Sequence, residues 1–120
     1  MTIMDYYVSD GEQTRQGTSW QEAASRQFGI NNDGGNYLVF VTAEYTNNTA
    51  NRTTSLHVTL NGAEGILDEV TVAAGKYRCF SSFYPYQLNI GTYILALAVK
   101  SSNAADTITV RRMRLFVLKH

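Results

Sequence analysis

Apolar and polar side chains alternate along most of this chain with a period of two, which is the period of a half-buried β-strand. The alternation is strictest between residues 37 and 45, where one face is made of Tyr37, Val39, Val41, Ala43 and Tyr45. It resumes between residues 56 and 60. Turn signals such as Asp33-Gly34-Gly35 and Asn61-Gly62 lie between these runs. The pattern therefore predicts short strands that each turn one face toward a core.

Further strands are predicted over residues 66–72, 77–84, 92–100 and 107–119, and Pro85 is expected to end the second of these. Residues 19–30 are ambiguous. They open with a helix capping box, Ser19-Trp20-Gln21-Glu22, yet they also alternate as a strand does. Short strands at nearly regular spacing are typical of a β-sandwich or jelly roll. We therefore expect an all-β domain.

Two of the predicted strands are apolar on both faces. Between residues 93 and 99, the odd positions form one apolar face and the even positions form another. The last strand shifts its alternation by one residue at Arg111-Arg112, as a β-bulge does, and is apolar on both sides after it. A loop or another subunit must cover the second face of such a strand, and we expect another subunit. The predicted subunit interface consists of Ile94, Ala96, Ala98, Phe116 and Leu118.

Composition narrows the possible functions. The chain has 120 residues, of which 44% are hydrophobic and 17% charged, and its formal net charge is zero. This is the size of a single domain with its own core. The one cysteine, Cys79, excludes an intrachain disulfide and a metal site built from several cysteines. A zero net charge gives no general attraction to nucleic acid or to anionic membranes, so neither is an expected partner.

The charges are distributed unevenly along the chain. Nine acidic and three basic residues occur through Glu69, whereas seven basic residues and one acidic residue follow it. Arg111, Arg112 and Arg114 form the densest basic cluster. Pairing between the two halves, within one chain or between subunits, explains this distribution, and pairing within the chain is the simpler interpretation.

No catalytic, metal-binding or cofactor-binding site is predicted, and we do not expect an enzyme. His57 lies between two apolar residues and is expected to point away from the core. Cys79 is expected to be a small buried side chain rather than a nucleophile. Asp68 and Glu69 are adjacent, so they point to opposite faces of a strand and cannot act together as a glycosidase pair.

Aromatic residues near Pro85 are the best candidates for contact with a ligand. Tyr84 and Tyr86 are able to stack on sugar rings, with the polar loop over residues 46–53 and its Arg52 as a second contribution. Aromatic side chains also fill cores and subunit contacts, which is the more common use for them.

The order of several segments carries a family resemblance. A Trp-bearing strand is followed by a glycine turn, a long strand, a strand that ends in Asn-Gly, a glycine link and two late strands. These segments read SWQEA at 19–23, GNYLVFVTAE at 35–44, LHVTLNG at 56–62, VAAGKY at 72–77, GTY at 91–93, and a closing strand with Arg111, Arg112, Leu115 and Val117. This order resembles the small jelly-roll domains of tailed-phage virion proteins, both capsid decoration (cement) proteins and fibre tips.

The resemblance implies a fold and a role. It implies a single jelly roll of about eight antiparallel strands over residues 19–120, with residues 19–30 as a strand. Residues 1–18 would then be an N-terminal arm or a first strand. It further implies a non-enzymatic homotrimer on the virion capsid surface, bound to the major capsid protein. The alternative is a fibre tip that binds a host-surface glycan. Residues 1–10 lack the apolar run of a signal peptide, so synthesis in the host cytoplasm is expected.

Overall fold

The computed structural model describes residues 2–32 and 34–119. Within these ranges the chain forms nine strands and no helix. No helix is therefore present among the described residues that would be long and apolar enough to cross a membrane. The strands are β1 (Thr2–Ser9), β2 (Gln13–Gln16), β3 (Gln21–Ile30), β4 (Gly35–Asn47), β5 (Thr53–Leu60), β6 (Ala63–Thr71), β7 (Arg78–Leu88), β8 (Gly91–Ser101) and β9 (Thr107–Lys119).

The strands form two antiparallel sheets that pack into a jelly roll. Sheet A has the order β1-β9-β4-β7, and sheet B has the order β3-β8-β5-β6. These eight strands confirm the predicted all-β jelly roll. The ninth strand, β2, pairs with β9 beyond the end of β1, so β1 and β2 share one edge of sheet A. Within residues 1–18, for which an arm or a first strand was expected, Thr2–Ser9 and Gln13–Gln16 form these two strands.

The core lies between the sheets and is made of the side chains that the alternation indicated. Tyr37, Val39, Val41, Ala43 and Tyr45 of β4 are all buried. The inward residues of β5 and β8 face them across the sandwich, and those of β9 lie beside them in the same sheet. At one flank, the Tyr45 hydroxyl donates a 2.6 Å hydrogen bond to Asp68 of β6. Because the Arg78 guanidinium binds the same carboxylate, the pKa of Asp68 lies below its usual range.

The irregularity predicted at Arg111-Arg112 is present. Arg112 has a φ of 51°, and the pairing of β4 with β9 shifts register between Thr42 and Glu44. One extra residue on β9 lets Met113 and Leu115 return to the core after Ile108 and Val110. The bulge lies opposite the gap between β1 and β2.

The predicted end of the strand at Pro85 is wrong. Strand β7 continues through Pro85 to Leu88, and Pro85 is paired in register with Leu38 of β4. Proline is compatible with this position because β7 is an edge strand, so the missing N–H leaves no neighbour unpaired on the outer side.

The ambiguous segment over residues 19–30 forms a strand. Residues Gln21–Ile30 pair with β8 and place Ala24, Phe28 and Ile30 in the core. Trp20 precedes the strand and stacks on His57, with ring centroids 3.5 Å apart and an angle of 12° between the planes. Because residues 21–30 hydrogen-bond to β8, they form a strand and not the helix that the local capping signal favoured.

Candidate functional site

The outer face of sheet A carries a row of aromatic side chains that crosses four strands. In register, Tyr6 of β1 is opposite Phe116 of β9, Phe116 is opposite Phe40 of β4, and Phe40 is opposite Phe83 of β7. Tyr6 and Phe83 are 60% and 59% exposed, and the Tyr6 and Phe116 rings stack with centroids 6.4 Å apart. Large aromatic groups therefore lie in contact with solvent across the whole width of the sheet.

A second apolar row runs beside the first. It consists of Ile3, Leu118, Leu38 and Pro85, again on β1, β9, β4 and β7. Ile3 is 57% exposed, and Leu118 and Leu38 are half-buried. We call these two rows, eight residues in all, the apolar face. A contiguous apolar surface of this kind usually marks a site of interaction with another molecule.

Charged residues next to the apolar face are paired within the chain. Glu44 accepts hydrogen bonds from Arg111 Nε at 2.9 Å and from Arg112 Nη1 at 3.0 Å. These bonds, that from Arg111 above all, hold the pKa of Glu44 below its usual range. Arg114 binds Asp10, which follows β1. The basic cluster of the second half thus meets acidic residues of the first half, which confirms the predicted pairing within the chain.

A groove opens at the other end of the same sheet face, beyond the aromatic row. Its volume is about 370 Å³, and its lining includes Thr42, Glu44, Cys79, Ser81, Arg112 and Arg114. We call it the arginine groove. Cys79 is exposed here, so the expectation of a buried cysteine is wrong. It lies on the outer side of β7, where it is paired with Glu44 rather than directed at the core.

The five residues predicted to form the subunit interface do not lie on one surface. Phe116 and Leu118 belong to the apolar face of sheet A, whereas Ile94, Ala96 and Ala98 lie on the outer face of sheet B. No single surface patch of one chain contains all five, because the whole sandwich separates the two groups, and a subunit contact made from them stays a prediction. Ala98 is also buried. It is paired with His57 of β5, and the His57 ring stacks on Trp20.

His57 lies on the outer face of sheet B, as predicted, but it is largely covered. Its Nδ1 is 3.1 Å from Glu64 Oε1, its ring stacks on Trp20, and 12% of its side chain is exposed. Burial is the main cause that lowers the pKa of His57 below its ordinary value. The Lys100 ammonium lies 4.5 Å from the centre of the Trp20 ring. The arrangement fixes the link between β2 and β3 to sheet B.

The candidate ligand residues are separated from one another. Tyr84 and Tyr86 lie on the inward side of β7, paired with Val39 and Tyr37, with their ring centroids 4.9 Å apart. They pack on Gly65 of β6, where an added Cβ would come within 2.2 Å of the Tyr86 hydroxyl. Burial raises the pKa of Tyr86. Only one of the two rings, that of Tyr84, is exposed.

Arg52 lies at the opposite end of β4 and has a structural contact. Its Nε donates a 3.1 Å hydrogen bond to the buried Asp106, which also accepts one from Ser101. Asn47 donates to Ser101 as well, so this group of side chains ties together the loops at that end of the sandwich. The structure therefore does not bring Arg52 together with Tyr84 and Tyr86.

Of the eight residues of the apolar face, the sequence predicts only Phe116 and Leu118 as contact residues. The other six are Ile3, Tyr6, Leu38, Phe40, Phe83 and Pro85. Leu38 and Phe40 alternate with the core residues of β4, so that strand is apolar on both faces in its first half. The same test that selected β8 and β9 would have selected β4. Among the described residues, no group of three or more His, Cys, Asp or Glu side chains is placed to hold a metal ion.

No known family model matches the chain, and no curated protein matches it in sequence. Solved structures do share its fold. The sugar-binding EclA C-terminal domain has a TM-score of 0.56 at 11% identity, with 89% of this chain and 78% of that chain covered. The CBM36-1 domain of a xylanase from the hindgut metagenome of Trinervitermes trinervoides has a TM-score of 0.53 at 11% identity, with 96% and 89% covered.

A viral protein is similar to the same extent. The VP2 subviral particle of infectious bursal disease virus has a TM-score of 0.59 at 12% identity, with 97% of this chain and 32% of that chain covered. The chain thus spans about a third of that viral chain. At these identities the similarity shows the jelly-roll-like fold alone, in proteins with viral and sugar-binding roles.

Proposed function

We propose that the protein is a non-enzymatic structural component of a phage virion, a cement protein that binds and stabilises the capsid shell as a homotrimer. The observation that carries the proposal is the apolar face of sheet A. This face consists of eight apolar or aromatic side chains on four strands. Three of them, Tyr6, Phe83 and Ile3, are more than half exposed. Burying such a surface against another protein is favourable, by about 25 cal/mol for each Å² of apolar area.

A second copy of the chain is the proposed occupant of this face. The charges at its border are neutralised by partners within the same chain, as in the pairs Arg114–Asp10 and Arg112–Glu44. Two copies can therefore approach without repulsion between unpaired like charges. Three copies with sheet A turned toward a threefold axis would bury the apolar rows of each subunit between its neighbours. Phe116 lies near the middle of the aromatic row and is the residue on which this contact is expected to depend.

Attachment to the capsid would then benefit from the trimer. Each subunit contributes one weak contact with a major capsid protein, and three linked contacts hold the shell far more tightly than one. The jelly-roll fold and the resemblance to tailed-phage decoration proteins support this role. The shared fold with a viral particle protein is compatible with it.

Light scattering at low micromolar concentration tests the trimer. The expected native mass is three times the 13.4 kDa of one chain. Phe116→Asp should give a monomer, because a buried charge at the seam has no partner. Ile94→Asp is the matched control on the opposite outer face and should leave the trimer intact. A monomeric wild type, or an unchanged mass for Phe116→Asp, would contradict the proposal.

Cosedimentation tests the capsid contact. Shells assembled from the major capsid protein encoded in the same genome should carry the wild-type protein into the pellet, and Phe116→Asp should bind at least tenfold more weakly because avidity is lost. Equal binding by monomer and trimer would exclude avidity as the mechanism. No binding by either protein would exclude the cement role.

The alternative is a carbohydrate- or receptor-binding fibre tip. The exposed ring of Tyr84, with Tyr86 at 4.9 Å, is the observation in its favour, and the fold is shared with sugar-binding domains. A glycan array separates the two roles. Reproducible binding that Tyr84→Ala abolishes supports the tip, whereas the cement protein is expected to bind no glycan through this residue.

A further inference from the structure

The arginine groove is a separate feature of the outer face of sheet A. It begins where the aromatic row ends, because Thr42 and Ser81 are the next outward pair after Phe40 and Phe83 along β4 and β7. The bulge of β9 forms its other wall and brings Arg112 and Arg114 to the same opening. A volume of about 370 Å³ is within the usual range for a site that holds a small molecule.

The charges in the groove favour a ligand with one negative charge. Within the lining, Arg112 and Arg114 contribute two positive charges and Glu44 one negative charge. Asp10, bound to Arg114, and Arg111, bound to Glu44, lie outside the lining, and their charges offset each other. Arg112 uses Nη1 to bind Glu44, while 61% of its side chain is exposed. A doubly charged phosphate would meet the Glu44 carboxylate, whereas a carboxylate matches the net charge and the planar geometry of guanidinium.

Arg114 has an unused hydrogen-bond donor. Its Nη2 binds Asp10, but Nη1 is buried and has no acceptor among the described residues. Buried polar atoms in folded proteins are nearly always paired, so an unpaired one calls for an explanation. About a third of the Arg114 side chain is exposed, and rotation of the guanidinium toward the groove would let a bound carboxylate accept from Nη1.

The remaining groups suit a hydroxylated ring. The hydroxyls of Thr42 and Ser81 lie on neighbouring strands at the same level of the sheet and are able to both donate and accept hydrogen bonds. Phe83 follows Ser81 by two residues on the same face but does not line the groove. A small number of convergent polar groups is what orients a small molecule in its site.

We propose that the arginine groove binds a sugar that carries a carboxylate, such as a uronic acid. Arg112 and Arg114 bind the carboxylate, and Thr42 and Ser81 bind ring hydroxyls. This site uses none of the tyrosines of the fibre-tip alternative. It is also independent of the trimer, because its binding groups lie beyond the apolar rows that the trimer would bury.

Titration of the ¹⁵N-labelled protein at constant ionic strength tests the site. D-glucuronate should give saturable shift changes at Thr42, Ser81 and Arg112. D-glucose lacks the carboxylate and should give none, and acetate lacks the ring and should bind at least about tenfold more weakly. Binding of acetate as tight as that of glucuronate would overturn the sugar assignment. Absence of any saturable change with glucuronate would overturn the site.

Variants locate the binding groups. Arg114→Gln and Arg112→Gln should each weaken glucuronate binding about tenfold or more, because each removes a charged donor. Arg15→Gln on β2, which does not line the groove, is the control and should bind as the wild type does. Thr42→Val keeps every charge. It should weaken glucuronate binding severalfold and leave acetate binding unchanged, which tests the site even where an arginine variant fails to fold.

Two further measurements separate the possible origins of the carboxylate. Oligogalacturonate should bind at least as tightly as glucuronate if the ligand is part of an acidic glycan. Tighter binding of poly-L-glutamate than of either sugar would overturn the proposal in favour of an acidic protein segment.

Light scattering on the same samples distinguishes the glucuronate site from the proposed trimer. A monomer that binds glucuronate contradicts only the trimer. A trimer that does not bind glucuronate contradicts only the site.

Discussion

The role of His57 becomes clear only from the residues that surround it in the fold. In the sequence it is an outward histidine on a strand, with no partner that would make it catalytic. In the structure it lies under Trp20, beside Glu64 and near Lys100, and is part of the attachment between the β2–β3 link and sheet B. Its role is structural, and it makes the stability of that attachment dependent on pH.

Acidification should destabilise the protein through His57. Burial lowers the folded-state pKa of His57 below its ordinary value of 6.5, so the unfolded chain binds the proton more tightly. Stability is therefore expected to fall as the pH drops through about 6.5 and to level off below the folded-state pKa. Urea unfolding midpoints measured between pH 8 and pH 5.5 would show this slope.

The control is His57→Gln, which keeps a polar planar side chain but does not titrate in this range. Its unfolding midpoint should vary less with pH than that of the wild type. Carboxylates such as Asp68, whose pKa is lowered, titrate below this window and affect both proteins equally. An identical slope in the two proteins would show that His57 is not the responsible group.

Strand β8 is apolar on both faces, and the two faces have different surroundings. Its odd positions, Leu95, Leu97 and Val99, are in the core, as predicted. Its even positions lie on the outer face of sheet B, where Ala98 is buried near His57 while Ile94 is 49% exposed. A second apolar face can thus be covered partly within the chain, and the pattern alone does not distinguish that case from a subunit contact.

The two faces of β8 should respond differently to truncation. Leu97→Ala should lower the free energy of unfolding by about 2–5 kcal/mol, because the removed atoms leave a cavity in the core. Ile94→Ala, on the opposite face of the same strand, should cost less than about 1 kcal/mol. Denaturant titration at a protein concentration where the assembly state is known measures both. Comparable losses would mean that Ile94 is as fully covered in solution as Leu97.

At the scale of the whole molecule, the first and last strands are neighbours. Strand β1 pairs with β9, and β2 continues along the same edge of sheet A. The ion pair of Asp5 with Arg26 at 2.8 Å also joins β1 to sheet B. This closure explains why an acidic N-terminal half and a basic C-terminal half coexist in a chain of zero net charge.

Deleting residues 1–10 should therefore damage the fold. The deletion removes β1, leaves the β9 edge unpaired over residues 113–119, and takes Asp10 from Arg114. An unpaired apolar edge favours aggregation. We expect an insoluble product or a clearly lower thermal midpoint. A soluble truncated protein with the wild-type midpoint would show that these residues behave in solution as the arm that the sequence left open.

The sequence determined much of the fold because side chains alternate at the period of a strand and only one phase is compatible with a core. The alternation in β4 and β9, including the bulge at Arg111-Arg112, was sufficient to assign their buried faces. Local chemistry was misleading where pairing overrides it. The capping box before β3 and Pro85 in β7 are two such cases, since a partner strand on one side holds each segment extended.

The candidate surfaces depended on the tertiary structure. Alternation identifies which residues point away from the core, but only the strand order determines which outward residues are neighbours. That order aligned Tyr6, Phe116, Phe40 and Phe83 into one row, although they lie up to 110 residues apart in the chain. The same strand order places Ile94 on the opposite side of the molecule from Phe116. A jelly roll distributes strands that follow one another in the chain between two sheets. Which residues share a surface therefore depends on their position in a sheet and not on their proximity in sequence.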